Sequence, residues 1–165
     1  MERLWAPWRL DYVTGAVSDE GCVFCAAQAG DNAAALIVAR GETCFVILNK
    51  YPYNNGHIMV TPNRHIGSLA DATEAELGEL MAWTRRGEMG LTEAYQPHGM
   101  NIGVNLGRPA GAGVPGHLHV HLVPRWNGDT NFMTVVGDTR VVPESPPKTL
   151  ERLTPIFARL ASQNR

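Results

Sequence analysis

Two apolar stretches, AALIVA from Ala34 and CFVILN from Cys44, stand on either side of Arg40-Gly41-Glu42, and the pattern predicts a β-hairpin. A polar loop, KYPYNNG, separates it from a short strand at His57–Thr61, closed by Pro62. Downstream the period changes. Leu77, Leu80 and Met81 recur at i, i+3 and i+4 behind Thr73-x-x-Glu76, the signature of a capping box. These positions predict a helix over Thr73–Tyr95, weakened by Gly78, Gly87 and Gly90 and ended by Pro97. Residues 100–106 read as a strand, Gly107–Gly116 as a glycine- and proline-rich loop, His117–Val123 as the next strand and Phe132–Val136 as a candidate for another. Pro143, Pro146 and Pro147 break the pattern before a short helix around Leu150–Leu160. The order implies an α+β domain: an antiparallel sheet of about five strands packed with one long helix and a short C-terminal helix.

The 165 residues fit a single domain over residues 21–165, preceded by an arm over residues 1–20. Trp5, Pro7 and Trp8 crowd that arm, and exposed tryptophans are costly, so it is expected to pack onto the body or a second subunit. A hydrophobic fraction of 44% is enough for a core without staples. A net charge of −2 argues against a nucleic-acid footprint, though not against a small anion held by local groups. Twelve arginines against Lys50 and Lys148 favour planar contacts to phosphate or carboxylate. Three cysteines make no disulfide framework, the N-terminus lacks a signal-peptide pattern, and the apolar runs are too short for a membrane span. The expectation is a cytoplasmic protein, off the membrane.

Three of the six histidines, His117, His119 and His121, occupy alternate positions, with Leu118, Val120 and Leu122 between and after them. In a strand all three imidazoles project from one face. A buried structural row would repel if protonated and lose hydrogen bonds if unpaired. A three-histidine metal site is a sharper alternative, but same-face neighbours lie about 7 Å apart along a strand, too far for all three to reach one ion. Nucleophilic catalysis by a histidine fits better. The preceding loop, GRPAGAGVPG, is rich enough in glycine to bring backbone N–H groups to an anion.

His117-Leu118-His119-Val120-His121-Leu122-Val123 resembles the signature of the histidine triad (HIT) family, and the likeness runs roughly from Cys22 to Trp126. The resemblance implies a HIT-like fold and a nucleotidyl-histidine intermediate on His119, with His121 contacting phosphate and His57 holding the catalytic surroundings in place. Asn49, eight residues before His57, matches the family's ribose-contacting position, although a turn asparagine and a structural strand histidine are the plain readings of the two. Asn105, Gly111, Ala112, Gly113 and Val114 fall where the family's phosphate-binding loop lies. Where family hydrolases often place a glutamine, this chain has Asn105 nearby and Ala112 or Gly113 beyond it, a departure from simple hydrolase character. Arg108 is a candidate phosphate contact. Arg125 and Trp126 are candidates to close the site, with a solvated arginine and a packed tryptophan equally open.

Cys22-Val23-Phe24-Cys25 alone admits a redox dithiol, a metal knuckle or coincidence. Zinc needs two further ligands, for which His65 and His117 are candidates. Several bacterial HIT proteins are similar in all four positions, which implies a closed structural zinc site of Cys22, Cys25, His65 and His117. Cys44 reads as core. The N-terminal LWAPWRLDY and the segment HLHVHLVPRWNGDTNF resemble the HIT branch of diadenosine tetraphosphate phosphorylases. That likeness implies cleavage of diadenosine tetraphosphate with inorganic phosphate as acceptor, in a homodimer. A hydrolase or phosphoramidase using water, and a non-catalytic nucleotide- or zinc-binding module, are the alternatives.

Overall fold

The computed structural model describes residues 21–129 and 144–163. The arm over 1–20 and the candidate strand Phe132–Val136 lie outside them. Helix α1 (Val23–Ala29) leads to strands β1 (Ile37–Arg40), β2 (Cys44–Leu48) and β3 (Ile58–Pro62). Helix α2 (Glu74–Tyr95), strands β4 (Gly99–Val104) and β5 (Val120–Arg125), and helix α3 (Pro146–Ser162) follow. The five strands form one sheet in the order β1-β2-β3-β5-β4, every pair antiparallel.

Alternation along the strands sorts the sheet into two faces. Val46, Leu48, Ile58, Val60, Val120 and Leu122 meet Leu80, Trp83 and Leu91 of α2 and Leu153 and Phe157 of α3 in the main core. The other face carries Ile37, Phe45, Ile47 and Met59, covered by Phe24 of α1. His121 stands opposite Met59 on β3 and Gly103 on β4, so it belongs to this second face.

Local chemistry fixes the long helix. Thr73 accepts from the Glu76 N–H at 3.2 Å while the Glu76 carboxylate accepts from the Thr73 N–H at 2.8 Å, a reciprocal capping box. Arg64 adds two hydrogen bonds of 2.8 Å to the same carboxylate, holding its pKa down to about 2. The helix runs unbroken through the glycines that weaken its sequence pattern. Gly87 and Gly90 are contact points: a Cβ on Gly87 would lie 2.8 Å from Leu122 Cδ2, and one on Gly90 2.8 Å from Phe157 Cε2.

The structure departs from the sequence pattern in three places. Helix α1 is an addition, since seven residues with no side-chain cap leave no periodic signal. The strand expected over His117–Val123 begins only at Val120 and runs on to Arg125. Residues 117–119 lie outside the ladder because Leu118 N–H donates to Ile66 O (2.6 Å) and Thr61 Oγ1 donates to Leu118 O (2.8 Å). The C-terminal helix starts at Pro146, earlier than expected, because proline suits a first turn whose N–H groups have no partner. Among the described residues no helix is long and apolar enough to cross a membrane.

Candidate active site

Hydrogen bonds fix the tautomer of each imidazole in turn. His119 Nδ1 lies 2.7 Å from the carbonyl oxygen of His117. A carbonyl only accepts, so Nδ1 carries the proton and Nε2 keeps its lone pair. The ring is 4% exposed, and burial lowers its pKa, which favours the neutral form. A neutral imidazole with one nitrogen tied back and the other basic is an available nucleophile.

His57 and His121 form a chain beside it. The Tyr53 backbone N–H donates to His57 Nδ1 at 3.1 Å, so His57 carries its own proton on Nε2. That Nε2 lies 3.0 Å from His121 Nδ1, which therefore accepts, and neutral His121 holds its proton on Nε2. Burial, then the neighbouring His121 and His119, lowers the His57 pKa to about 3. Asn49 Oδ1 accepts the Tyr51 N–H (2.9 Å), leaving Asn49 Nδ2 at 3.5 Å from His57 Nε2, two donors in contact without a hydrogen bond.

A cavity of about 420 Å³ opens in front of this row. His119, His121, Asn49, Gly111, Gly113 and Val114 line it, bringing together six of the residues singled out in the sequence. Gly111 sits at φ 92°, a conformation open to glycine. The N–H groups of Ala110, Gly111 and Ala112 are spent inside the loop, on Arg108 O and Gly107 O. Among the described hydrogen bonds none engages the N–H of Gly113 or Val114, and both residues line the cavity. Ala112 is buried and lies off the cavity wall, Arg108 is exposed and lines no described cavity, and Asn105 lies instead in a second cleft beside His121. The apolar walls come from Val23, Phe24, Ala27, Leu36, Ile47 and Met59. None of these carries a sequence signal for binding beyond being apolar, because four separate segments supply them.

On the other side of α1, the side chains of Cys22, Cys25, His65 and His117 converge with their ligand atoms within 4.8 Å of one another. Cys22 Sγ is 3.2 Å and Cys25 Sγ 3.6 Å from His117 Nδ1, and Cys25 Sγ is 3.4 Å from His65 Nδ1. His117 Nε2 donates to Pro62 O at 2.9 Å, so the nitrogen facing the sulfurs is the one with the lone pair. Two sulfurs and two imidazole nitrogens this close fit a tetrahedral metal ion. The group fills all four corners with protein, which leaves no position for substrate. His117 also joins the two sites, since its ring faces the sulfurs and its carbonyl holds His119.

Comparison with known proteins follows the same lines. The family model for the HIT domain matches residues 31–128. The chain is 40% identical to an AP-4-A phosphorylase of Mycobacterium tuberculosis, over 96% of this chain and 86% of that protein. It is 35% identical over 90 residues to the asymmetrical bis(5'-nucleosyl)-tetraphosphatase of Schizosaccharomyces pombe, covering 54% of this chain and 49% of that one. Among solved structures, a Zn-bound histidine triad family protein from Mycobacterium smegmatis superposes with a TM-score of 0.70 at 31% identity, over 87% of this chain and 98% of that chain.

Proposed function

The chain belongs to the HIT family, and on that premise we propose that it cleaves diadenosine tetraphosphate through a nucleotidyl-His119 intermediate, with inorganic phosphate as acceptor. The observation that carries this reading is the bond from His119 Nδ1 to His117 O, which leaves Nε2 as a lone pair on a ring lining the cavity. His119 Nε2 bonds to the α-phosphorus as the bond to the bridging oxygen breaks and ATP departs. The Nε2 proton of His121 steadies the departing oxygen, and the N–H groups of Gly113 and Val114 take the charge on the phosphoryl oxygens. An oxygen of phosphate then bonds to the same phosphorus, the P–N bond breaks, and ADP leaves. The apolar walls suit a nucleobase and Asn49 suits the ribose.

Phosphate rather than water is favoured by the 40% identity with a phosphorylase. Water would give a hydrolase, which the weaker likeness to the tetraphosphatase supports. The metal is zinc in this reading, since a closed set of two sulfurs and two imidazoles suits it and a related structure binds it. Its role is to fasten α1 to residues 65 and 117. A reducing compartment, the cytoplasm, keeps Cys22 and Cys25 as ligands. A homodimer is supported by β4, which among the described residues is an edge strand with β5 as its one neighbour and Ile102 45% exposed. Light scattering that finds only monomer at working concentration removes the dimer.

The test is to incubate the protein with diadenosine tetraphosphate, with and without phosphate, and separate the products. ADP that forms only with phosphate supports the phosphorylase. AMP with ATP, whatever the phosphate, means a hydrolase. His119→Ala is expected to stop turnover, by a factor of about 10⁴ or more. Turnover at the wild-type rate in that variant would defeat the mechanism.

A further inference from the structure

Past His121, between β4 and β5, the described residues outline a second cleft, of about 300 Å³. His121 and Tyr53 line both cavities, whereas His119 lines only the first, so the cleft lies across His121 from the nucleophile. That side has a chemical meaning. In a displacement at phosphorus the leaving oxygen departs opposite the attacking atom, and the acceptor of the second step must enter from the same direction. A double displacement at His119 therefore needs one place that holds first the tail of the leaving nucleotide and then the acceptor.

The floor of the cleft is kept bare. Gly103 lies directly across from His121, and among the described residues a Cβ on it would meet nothing within 4 Å. Gly103 does not have the positive φ that would require a glycine. Glycine weakens a strand interior, so Gly103 serves neither turn nor packing among the described residues and leaves room beside His121. The polar lining suits an anion. Arg125 Nε and Nη2 donate to Asp129 at 2.6 and 2.8 Å, and Nη1 donates to Asn101 Oδ1 at 2.8 Å, which holds the guanidinium rigid. Asp129 also receives the Asn54 amide (2.9 Å) and the Trp126 N–H (3.1 Å), so its charge is shared among several donors. Asn101 and Asn105 add neutral amides.

We propose that this cleft is an anion subsite for the phosphate groups beyond the α-phosphate, occupied by the polyphosphate tail of the leaving nucleotide and then by the acceptor phosphate. It rests on the reading of His119 as the nucleotidyl carrier. ADP is a direct probe, because it is AMP extended by the one phosphate that the acceptor step adds. Calorimetric affinities for AMP and ADP should be measured on the wild type, Gly103→Val and Arg125→Gln. The wild type is expected to bind ADP about tenfold more tightly than AMP. Gly103→Val should keep its melting temperature and its AMP affinity within about twofold, and lose the preference for ADP. Arg125→Gln should reduce that preference with the AMP affinity unchanged. An ADP-to-AMP ratio that survives both substitutions overturns the subsite, as does a wild type with no ratio at all. Failure of the phosphorylase reading would be seen separately, as AMP and ATP from diadenosine tetraphosphate in the wild type whatever the phosphate.

Discussion

Protonating His57 means charging an imidazole that is 2% exposed and faces two others, and its pKa falls to about 3. The unfolded chain binds that proton near pH 6.5, so between these values the unfolded state holds more protons. Stability contributed by neutral His57 is complete above pH 6.5 and is lost as the pH falls toward 3, by up to about 1.4 kcal/mol per pH unit. Glu76 is also depressed, to about 2 from 4.5, chiefly by hydrogen bonds from Arg64, and its contribution is lost only below about pH 4.5. The window from pH 6.5 to 4.5 therefore reports on histidine. Buried His117 and His119 are lowered too and add to the slope there. Denaturant titrations of wild type and His57→Gln across that window should differ in slope by about one proton. Parallel slopes would mean that His57 is not held neutral by the fold.

At the scale of the helix, three glycines that look alike in the sequence separate into two kinds. Gly78 is exposed and a Cβ there meets nothing within 4 Å, so Gly78→Ala should stabilise by about 0.5–1 kcal/mol through helix propensity. Gly90 presses on the buried ring of Phe157, and Gly90→Ala should destabilise by about 1–3 kcal/mol from overpacking, less the same propensity gain. Thermal melts of the two variants on either side of the wild type would bear this out, and two shifts of the same sign would refute it. Strands β1 to β4 and α2 were legible because each combines an apolar stretch or a helical period with a clear stop, such as Arg40-Gly41-Glu42 or Pro97. The start of β5 was not legible, because the bonds from Leu118 to Ile66 and from Thr61 to Leu118 are tertiary. Helix α1 was missed for a related reason, since its ends are set by what it packs against.

Across the whole molecule, the polar chemistry of the site was readable and its container was not. His117, His119 and His121 announce themselves by type and spacing, whereas Phe24, Leu36, Ile47 and Met59 become one wall only when α1, the turn before β1, β2 and β3 meet. Helix α1 is the least anchored part of that wall. It is seven residues long and buries only Phe24, while Cys22 and Cys25 reach toward His65 and His117. The opposite layer, α2 and α3 against the sheet, shares none of these four residues and holds the larger core. Removing the metal should therefore loosen one face and spare the other. A chelated protein is expected to keep its far-UV circular dichroism, to lose AMP affinity by about tenfold, and to regain it when zinc is returned. Cys25→Ser should behave like the chelated protein at every zinc concentration. AMP affinity that is indifferent to both treatments would show that the cavity wall stands without the metal, and that the four ligands serve something other than the site.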